Sequence, residues 1–242
     1  MSKLPEKDQE KFFLLTDSVT KNENGETTDK TLNGPKTAFG IFKTNACGTG
    51  DGKVGIFPTI ARINHSCVPN AHYYPVSNAE GQATDMALRA IKKISVGDEI
   101  TISYIDPLQR RDFDTKENRC KILSEEFGFD CDCLACEKSL DDKARARIAE
   151  IEGQGVPNLI QEQYMLCKRA NLHAGLLYLV GLKLLVAMKL QADIPGIRSL
   201  CREIIDHALI AYGKDAMMVP TLKRILSAND TIIVDVLIEE LP

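Results

Sequence analysis

The chain has 242 residues, 44% of them hydrophobic and 26% charged, and a formal net charge of −4. These values are ordinary for a globular protein with a substantial core, and the acidic balance gives no reason to expect a nucleic-acid-binding surface. The N-terminus has no apolar run of signal-peptide length, and the longest uncharged apolar segment, Ala174 to Leu182, is too short to cross a bilayer. We therefore expect an intracellular, soluble protein without membrane contact, in the nucleus or the cytoplasm, whose eight cysteines are thiols or metal ligands.

The N-terminal region combines a short helix with polar segments. Residues 5–16 carry an apolar side and predict a helix, whereas the polar, glycine-containing run from Lys21 to Lys36 predicts an exposed loop. The run from Gly48 to Lys53 lacks the spacing of a phosphate-binding loop. A strand-like segment also follows it, where a dinucleotide-binding fold would need a helix. We interpret this run as a flexible turn.

The middle of the chain is rich in predicted β-strands. Short apolar or alternating segments lie at Val54–Phe57, Ala71–Tyr74, Met86–Ile91 and Ile100–Tyr104. The run Ser95–Glu99 supplies a turn between the last two. We therefore expect this half of the protein to be built mainly from short strands.

Helical patterns dominate from Arg110 onward. Helices are predicted over Arg110–Phe127, Asp141–Glu152 and Leu172–Leu190. Another helix, with apolar residues at i, i+3 and i+4 spacing, begins at Pro195 and ends before Gly213. The sequence therefore predicts an α+β fold in which a helical bundle or an array of helix pairs follows the β-rich half from about residue 140.

Three cysteines lie close together in the run Cys131-x-Cys133-x-x-Cys136, which is the density of a metal site. A structural zinc ion takes four soft ligands in a tetrahedron, so a fourth thiolate is needed. The candidates are Cys67, Cys47 and Cys120. The alternative is a set of buried thiols without metal, but Cys131 and Cys133 alternate with Asp and cannot all face a core. Cys167 and Cys201 lie within helical segments and are predicted to be core thiols.

The stretch from Arg62 to Asn70 carries Asn64, His65, Ser66 and Cys67 between two apolar segments. Buried Asn and His side chains need hydrogen-bonding partners, so their adjacency here favours a functional site. The alternative is a capped turn, because Asn, Ser and Pro are common turn residues.

Three motifs occur in a fixed order along the chain. They are Asn64-His65-Ser66-Cys67-x-Pro69-Asn70, Gly97-Asp98-Glu99-Ile100-Thr101-Ile102-Ser103-Tyr104 and Cys131-x-Cys133-x-x-Cys136. Together they resemble the C-terminal half of a SET-domain protein lysine methyltransferase with its post-SET cysteine cluster. The likeness is to the SET-and-MYND branch and its fungal relatives, and it covers roughly residues 38–138. The ordered set is much more specific than any single motif.

The resemblance implies a domain layout. An N-terminal helix and polar insertion would occupy residues 1–36, and the C-terminal half of a SET domain residues 37–119. A zinc-binding post-SET segment would follow at residues 120–138, and a helical C-terminal domain at residues 139–242. By comparison with the family, we expect the chain to lack the Gly-x-Gly strands that open a SET domain and the MYND zinc finger.

The resemblance also implies roles for individual residues. Asn64 and His65 match family residues that hold the amino group and the adenine of S-adenosylmethionine, and Phe129 matches an aromatic that packs near the adenine. Tyr104 matches the tyrosine that lines the channel for the target lysine. The zinc ligands would be Cys67, Cys131, Cys133 and Cys136.

The implied function is S-adenosylmethionine-dependent methylation of a lysine in a histone or another protein. Such an in-line displacement depends mainly on alignment and desolvation, which the protein can supply without a metal at the reacting atoms. The alternative is a non-catalytic, zinc-containing module derived from a SET domain that binds other proteins. The sequence does not reveal the substrate protein, the product methylation state or the oligomeric state.

Overall fold

The computed structural model of the protein describes residues 5–18, 36–49, 52–78, 83–105, 115–139, 142–152, 154–170, 172, 174–188, 193–230 and 233. Helices and strands are mixed, which confirms the predicted α+β class. Within these residues no helix is both long enough and apolar enough to span a membrane.

Two short helices open the chain. Helix α1 (Glu6–Phe13) confirms the helix predicted near the N-terminus. Helix α2 (Ala38–Asn45) begins at Thr37, whose hydroxyl accepts the backbone N–H of Gly40 at 2.9 Å, as expected for a threonine cap. The loop predicted over Lys21–Lys36 lies outside the described residues, apart from Lys36 itself.

The described strands form three two-stranded sheets. Strands β1 (Ala46–Gly48) and β2 (Val54–Ile56) pair antiparallel, as do the longer β4 (Ala71–Ser77) and β5 (Ala83–Ala90). Strands β3 (Asn64–His65) and β6 (Thr101–Ile102) pair in parallel. The predicted strand segments are confirmed. The turn at residues 95–99 separates β5 from β6, but these two strands pair with different partners.

The parallel pairing of β3 with β6 is supported by Asn70. Its side chain accepts the backbone N–H of Thr101 at 2.9 Å and donates to the carbonyl of Glu99 at 2.8 Å. The N–H of Ser66 donates to the carbonyl of Ile102 at 2.9 Å and continues the pairing by one residue. Two segments almost forty residues apart in the chain are thereby held side by side.

A helix whose last turn is widened leads into the cysteine-rich loop. Helix α3 (Lys116–Ile122) continues into a π-helical turn over Leu123–Phe127. Gly128 then adopts a left-handed conformation, with φ 71°, which ends the helix and favours glycine. The helix predicted over residues 110–127 is confirmed from residue 116, and residues 110–114 lie outside the described part of the chain.

Beyond the cysteine-rich loop the described chain is helical. The short helix α4 (Leu134–Glu137) lies within that loop. The helices that follow are α5 (Asp142–Ile151), α6 (Pro157–Arg169), α7 (Ala174–Met188), α8 (Ile194–Tyr212) and α9 (Val219–Ser227). Neighbouring helices pack in sequence order around one apolar core, which confirms the predicted helical array. Cys167 and Cys201 are fully buried in this core, as predicted.

Helix α7 lies very close to its neighbours at Gly181. A Cβ at this position would lie 2.8 Å from a side-chain carbon of Ile204 on α8 and 3.4 Å from the Tyr164 ring on α6. Glycine therefore permits the close approach of the three helices, at the usual cost of a glycine in a helix interior. Helix α9 was not predicted from the sequence, and for α6 only a helical segment around Cys167 was predicted, without bounds.

The β4–β5 sheet contacts the helical region at the end of α8. The ring of Tyr212 makes edge contacts with His72 and Tyr74 of β4 and with Tyr178 of α7, at centroid distances of 5.2, 5.4 and 5.3 Å. Arg89 of β5 donates to the carbonyls of Leu209 and Ile210, both at 3.3 Å. The last turn of α8 thus joins the two parts of the molecule.

Candidate active site and metal centre

Four cysteine sulfurs converge beside the end of strand β3. The Sγ atoms of Cys67, Cys131, Cys133 and Cys136 all lie within 4.8 Å of one another. The sulfurs of Cys67 and Cys136 are 3.6 Å apart, and both residues are buried. The fold therefore brings Cys67 together with cysteines that lie 64 to 69 positions further along the chain.

Local structure explains how the three later cysteines are presented. Gly128 ends the preceding helix, and α4 then places Cys133 and Cys136 one turn apart, with the N–H of Cys136 donating to the carbonyl of Cys133 at 2.8 Å. The backbone N–H of Cys67 points to the sulfur of Cys133 at 3.4 Å. Ile105, Leu123 and Ala135 pack around the cluster and shield it from water.

The sulfur arrangement fits a tetrahedral zinc ion. A Zn–S distance of about 2.3 Å places the four sulfurs of such a site about 3.8 Å apart. The measured convergence matches this size, and four thiolates form a ligand set that zinc prefers.

The two other candidates for the fourth ligand do not complete the group of four mutually close sulfurs. Cys47 is on β1, where its thiol donates to the carbonyl of Asn45 at 3.8 Å. Cys120 on α3 has its sulfur 3.8 Å from that of Cys136, but it does not belong to the group of four mutually close sulfurs. Among the three candidates, Cys67 completes the set geometrically.

The protonation of the four thiols is strongly coupled. Hydrogen bonds from neighbouring thiols hold the pKa of Cys133 well below its usual range and lower that of Cys136 to about 6. Donation to the other sulfurs raises the pKa of both Cys67 and Cys131. A metal ion bound by all four sulfurs would release the protons that they still carry.

His65 lies between the cysteine cluster and Tyr104. Its Nδ1 accepts the backbone N–H of Tyr104 at 3.0 Å, and its Nε2 is 3.3 Å from the sulfur of Cys67. Because a backbone N–H can only donate, Nδ1 carries no proton, and the ring proton is on Nε2, facing the sulfur. The ring is therefore neutral and connects the two groups.

Tyr104 is held within a set of aromatic rings. Its hydroxyl donates to the carbonyl of Ile63 at 2.7 Å, and its ring centroid lies 5.3 Å from that of His65. The ring centroids of Phe127 and Phe129 lie 5.1 and 6.2 Å from it. Burial raises the pKa of Tyr104, with smaller contributions from Cys47 and Glu99, so its hydroxyl stays protonated at neutral pH.

Asn64 is more exposed than the sequence suggested. We expected Asn64 and His65 both to be buried, but His65 is half-buried and Asn64 lies on the surface. The reason is that a two-residue strand points successive side chains to opposite faces. Asn64 is nonetheless held in place, because its amide donates to the carboxylate of Glu99 at 2.6 Å.

The structure brings the sequence-predicted residues into one region and adds others. His65, Tyr104 and Phe129 adjoin the cysteine cluster, whereas Asn64, the residue before His65, contacts Glu99. Sequence reasoning missed the ring of Phe127 and two buried arginines, Arg119 and Arg145. No spacing signal marks the arginines, since an arginine in a charged helical segment is normally solvated.

Comparison with known families agrees with this arrangement. The family model for the SET domain matches residues 5–105, which includes β3, β6 and Tyr104. The match begins at residue 5, ahead of residue 37, where we expected the SET portion to begin. The chain thus contains a SET domain.

Individual relatives narrow the class further. Residues of this chain are 34% identical over 117 positions to histone-lysine N-methyltransferase Smyd1 of Mus musculus, covering 43% of this chain and 23% of that protein. They are 40% identical over 84 positions to histone-lysine N-methyltransferase SMYD3 of Homo sapiens, covering 35% and 17%. The chain is therefore homologous to the SMYD-family lysine methyltransferases, at modest identity and over part of its length. It spans about a fifth of the length of the relatives it matches.

Proposed function

We propose that this protein is an S-adenosylmethionine-dependent protein-lysine N-methyltransferase with a structural zinc site. The observation that carries the proposal is the parallel pairing of β3 with β6. Through this pairing His65 contacts Tyr104 at the edge of a four-cysteine cluster, and Asn64 lies opposite Thr101. The homology to lysine methyltransferases supports the same reaction class.

In this proposal Asn64, His65 and Phe129 bind the cofactor. The amide of Asn64 and the neighbouring carboxylate of Glu99 present oxygen atoms suited to a cationic amino group. The rings of His65 and Phe129, 6.1 Å apart between centroids, offer an aromatic surface suited to a purine. When bound, S-adenosylmethionine supplies an electrophilic methyl group on a sulfonium.

Tyr104 is proposed to orient the target lysine. Its hydroxyl is fixed by the carbonyl of Ile63, and its backbone by His65, so the ring has little freedom to move. A rigid tyrosine can order an amine and exclude water from it, which favours an in-line displacement. The raised pKa keeps the hydroxyl neutral, which avoids trapping the substrate ammonium as an ion pair.

Zinc is proposed to have a structural role. Cys67, Cys131, Cys133 and Cys136 would hold it, and the ion would fasten the loop that carries Phe129 to the end of β3. Part of the folding free energy would then depend on the metal.

The substrate is proposed to be a lysine side chain in a protein inside the cell. The printed names of Smyd1 and SMYD3 describe them as histone-lysine methyltransferases, so histones are the first substrates to test. A non-histone protein would need the same chemistry at the site. No direct nucleic-acid or membrane partner is proposed.

The proposal can be tested by methyl transfer. The purified, zinc-loaded chain is incubated with radiolabelled S-adenosylmethionine and a mixture of core histones and lysine-rich peptides. We expect label on lysine and none with the Asn64→Ala variant, while an Asn118→Ala variant on the exposed side of α3 should retain activity. A folded, zinc-loaded chain that binds no S-adenosylmethionine would instead favour a non-catalytic interaction module.

A further inference from the structure

A cleft lies between the end of strand β5 and the last turns of helix α8. It has a volume of about 710 Å³ and is open to solvent. Three cations, Arg89, Lys92 and Lys93, line it from the strand and the segment that follows, and α8 contributes Leu209 and Ile210. The cleft therefore combines positive charge with aliphatic surface.

The lining of the cleft is positively charged, although the chain as a whole carries −4. Among the described lining residues Asp206 supplies one carboxylate against the three cations, which leaves a surplus of two positive charges. Within the part of the chain that the structure describes, no carboxylate forms an ion pair with Lys92 or Lys93. An anion is therefore attracted to this cleft, while the net charge of the protein repels it elsewhere.

Two of the three cations are held in place by backbone contacts. Arg89 donates through Nε and Nη2 to two carbonyls in the last turn of α8, both at 3.3 Å. Its charge thereby partly offsets the negative end of the helix dipole. The backbone N–H of Lys92 donates to the carbonyl of Asn70 at 3.3 Å, and its side chain is half-buried. The ammonium groups of Lys92 and Lys93 remain as contact groups for a ligand.

Helix α8 presents an apolar edge to the same cleft. Leu209 is 40% exposed and Ile210 is 43% exposed, whereas Ala208 and Ala211 on either side are fully buried in the core. A ligand that fills the cleft should therefore carry both carboxylates and aliphatic side chains. A polypeptide supplies the two within a few residues, at about 3.3 Å per residue when extended.

We propose that this cleft is a docking surface for an acidic segment of a partner protein. Carboxylates of that segment pair with Lys92 and Lys93, and an adjacent apolar side chain covers Leu209 and Ile210. The inference goes beyond methyl transfer, because none of the residues proposed above to bind the cofactor, the target lysine or zinc lines the cleft. A lysine-rich segment is repelled here, so the segment that docks differs from the one that is methylated.

A labelled peptide tests the interaction directly. The probe is a short synthetic peptide that combines a run of glutamates with two leucines, and fluorescence anisotropy follows its binding to the zinc-loaded chain. We expect saturable one-to-one binding that weakens when the glutamates are replaced by glutamine or the leucines by serine. Raising the ionic strength from about 0.05 M to about 0.5 M should also weaken it, because exposed charge pairs are screened by salt.

Paired variants locate the binding to the cleft. The double variant Lys92→Gln, Lys93→Gln should bind the peptide about tenfold more weakly, because two exposed charge pairs are lost. The matched control is Lys7→Gln, Lys11→Gln, which removes the same charge from exposed positions on α1 and should bind like the wild type. Leu209→Ser should also weaken binding without unfolding the chain, since that side chain is already largely exposed.

The remaining outcomes contradict the proposal. A wild-type chain that binds no peptide would overturn it, as would equal binding by the cleft variant and the α1 variant. Binding of single-stranded RNA or phosphatidylserine vesicles instead of the peptide, lost in the cleft variant, would assign the cleft to another partner. Methyl transfer by the cleft variant should equal that of the wild type, so failure of docking and failure of the proposed enzyme activity can be told apart.

Discussion

At the residue scale, His65 contacts both the proposed catalytic tyrosine and the cysteine cluster. One ring nitrogen accepts the backbone N–H of Tyr104, and the other faces the sulfur of Cys67. A metal that fixes Cys67 as a thiolate would give the Nε2 proton a strong acceptor and hold the ring in place. The orientation of the proposed catalytic tyrosine is thereby connected to the metal site through a single side chain.

The Tyr104→Phe variant tests the catalytic role of the hydroxyl. We expect methyl transfer to fall by about 10²-fold, because the ring loses its anchor on the carbonyl of Ile63 and the target amine loses an ordering contact. The Tm should change little, since the ring and its packing are retained. Tyr73→Phe, in β4, is the isosteric control and should keep its activity. Unchanged turnover in Tyr104→Phe would rule out a catalytic role for the hydroxyl.

Two serine variants distinguish a proposed metal ligand from a nearby cysteine that is not a ligand. Cys67→Ser should reduce the zinc content from about one ion per chain to near zero, because three thiolates remain where four are needed. Cys120→Ser should keep its zinc, although Cys120 lies close to Cys136. Zinc content is read by elemental analysis after gel filtration. Retention by the first variant, or loss by the second, would contradict the proposed ligand set.

The site was predictable from sequence only where the local pattern is unusual. Three cysteines within six residues indicate a metal site on their own, whereas Tyr104 stands out only through the motifs around it. Arg119 and Arg145 gave no signal, because their burial depends on how α3 and α5 pack against the cysteine loop. The exposure of Asn64 was likewise decided by the direction of a two-residue strand.

At the element scale, the β3–β6 pair depends on side-chain support. Each strand has only two residues, so the pairing itself contributes few hydrogen bonds. The side chain of Asn70 adds one bond to the N–H of Thr101 and one to the carbonyl of Glu99. A residue outside both strands therefore contributes two hydrogen bonds to the support of the site.

We therefore expect Asn70→Ala to lower the free energy of unfolding by about 2 kcal/mol, at roughly 1 kcal/mol for each lost hydrogen bond. Asn70→Asp keeps the acceptor for Thr101 and loses the donor to Glu99, so its loss should be smaller. Urea denaturation measures both. An alanine variant as stable as the wild type would show that the pairing does not need this residue.

Helix α8 carries a histidine that should make stability depend on pH. Burial lowers the pKa of His207, and Lys168 lowers it further, while Glu203 and Asp206 oppose the shift. The unfolded chain, with a pKa of about 6.5, then binds a proton more readily than the folded one. Stability should be complete above that pH and fall as the pH decreases through the lowered value.

The His207→Gln variant should reduce this dependence. Between pH 7.5 and pH 5.5 the wild type should lose more unfolding free energy than the variant. This window lies above the range in which carboxylates titrate. Urea denaturation at both pH values gives the comparison. Equal losses in the two proteins would exclude His207 as the source of the dependence.

The long, periodic helices were the most predictable elements. The apolar spacing of α8, with Pro195 at its start and Gly213 after its end, identified it closely. The bounds of helix α6 around Cys167 were not predicted, because its apolar residues alternate with polar ones that include the buried Gln163. The pairing of β3 with β6 could not be derived, since two-residue strands have no periodicity and their contact is not local.

At the scale of the whole molecule, the SET-domain strands and the helical region meet at Tyr212. Its ring contacts His72 and Tyr74 on one side and Tyr178 on the other. Burial raises the pKa of Tyr212 to about 12, in keeping with a phenol largely removed from water. The cysteine site forms a second connection, because Arg145 of the helical region donates to the backbone of Cys67.

Loss of the Tyr212 ring should weaken the first connection. We expect Tyr212→Ala to lower the free energy of unfolding by about 3 kcal/mol and to increase hydrogen exchange of the β4 amides. Tyr212→Phe keeps the three ring contacts and should behave like the wild type. If the alanine and phenylalanine variants were equally stable, the ring contacts would not join the two parts.

The general arrangement of β-rich and helical parts followed from sequence patterns, but their relative placement did not. Nothing in the spacing of Arg89 or Tyr212 shows that they meet across the molecule, because that contact depends on the fold of both parts. The three ordered motifs indicated the family by resemblance. The distances between the residues of these motifs came only from the structure.

The central claim is that the residues around β3 and β6 form a cofactor site. Calorimetric titration of S-adenosylmethionine into the zinc-loaded chain tests it most directly, with the Asn64→Ala variant as the matched comparison. We predict saturable one-to-one binding by the wild type and a marked loss of affinity in the variant. A folded, zinc-containing wild-type chain that binds no S-adenosylmethionine would contradict the claim.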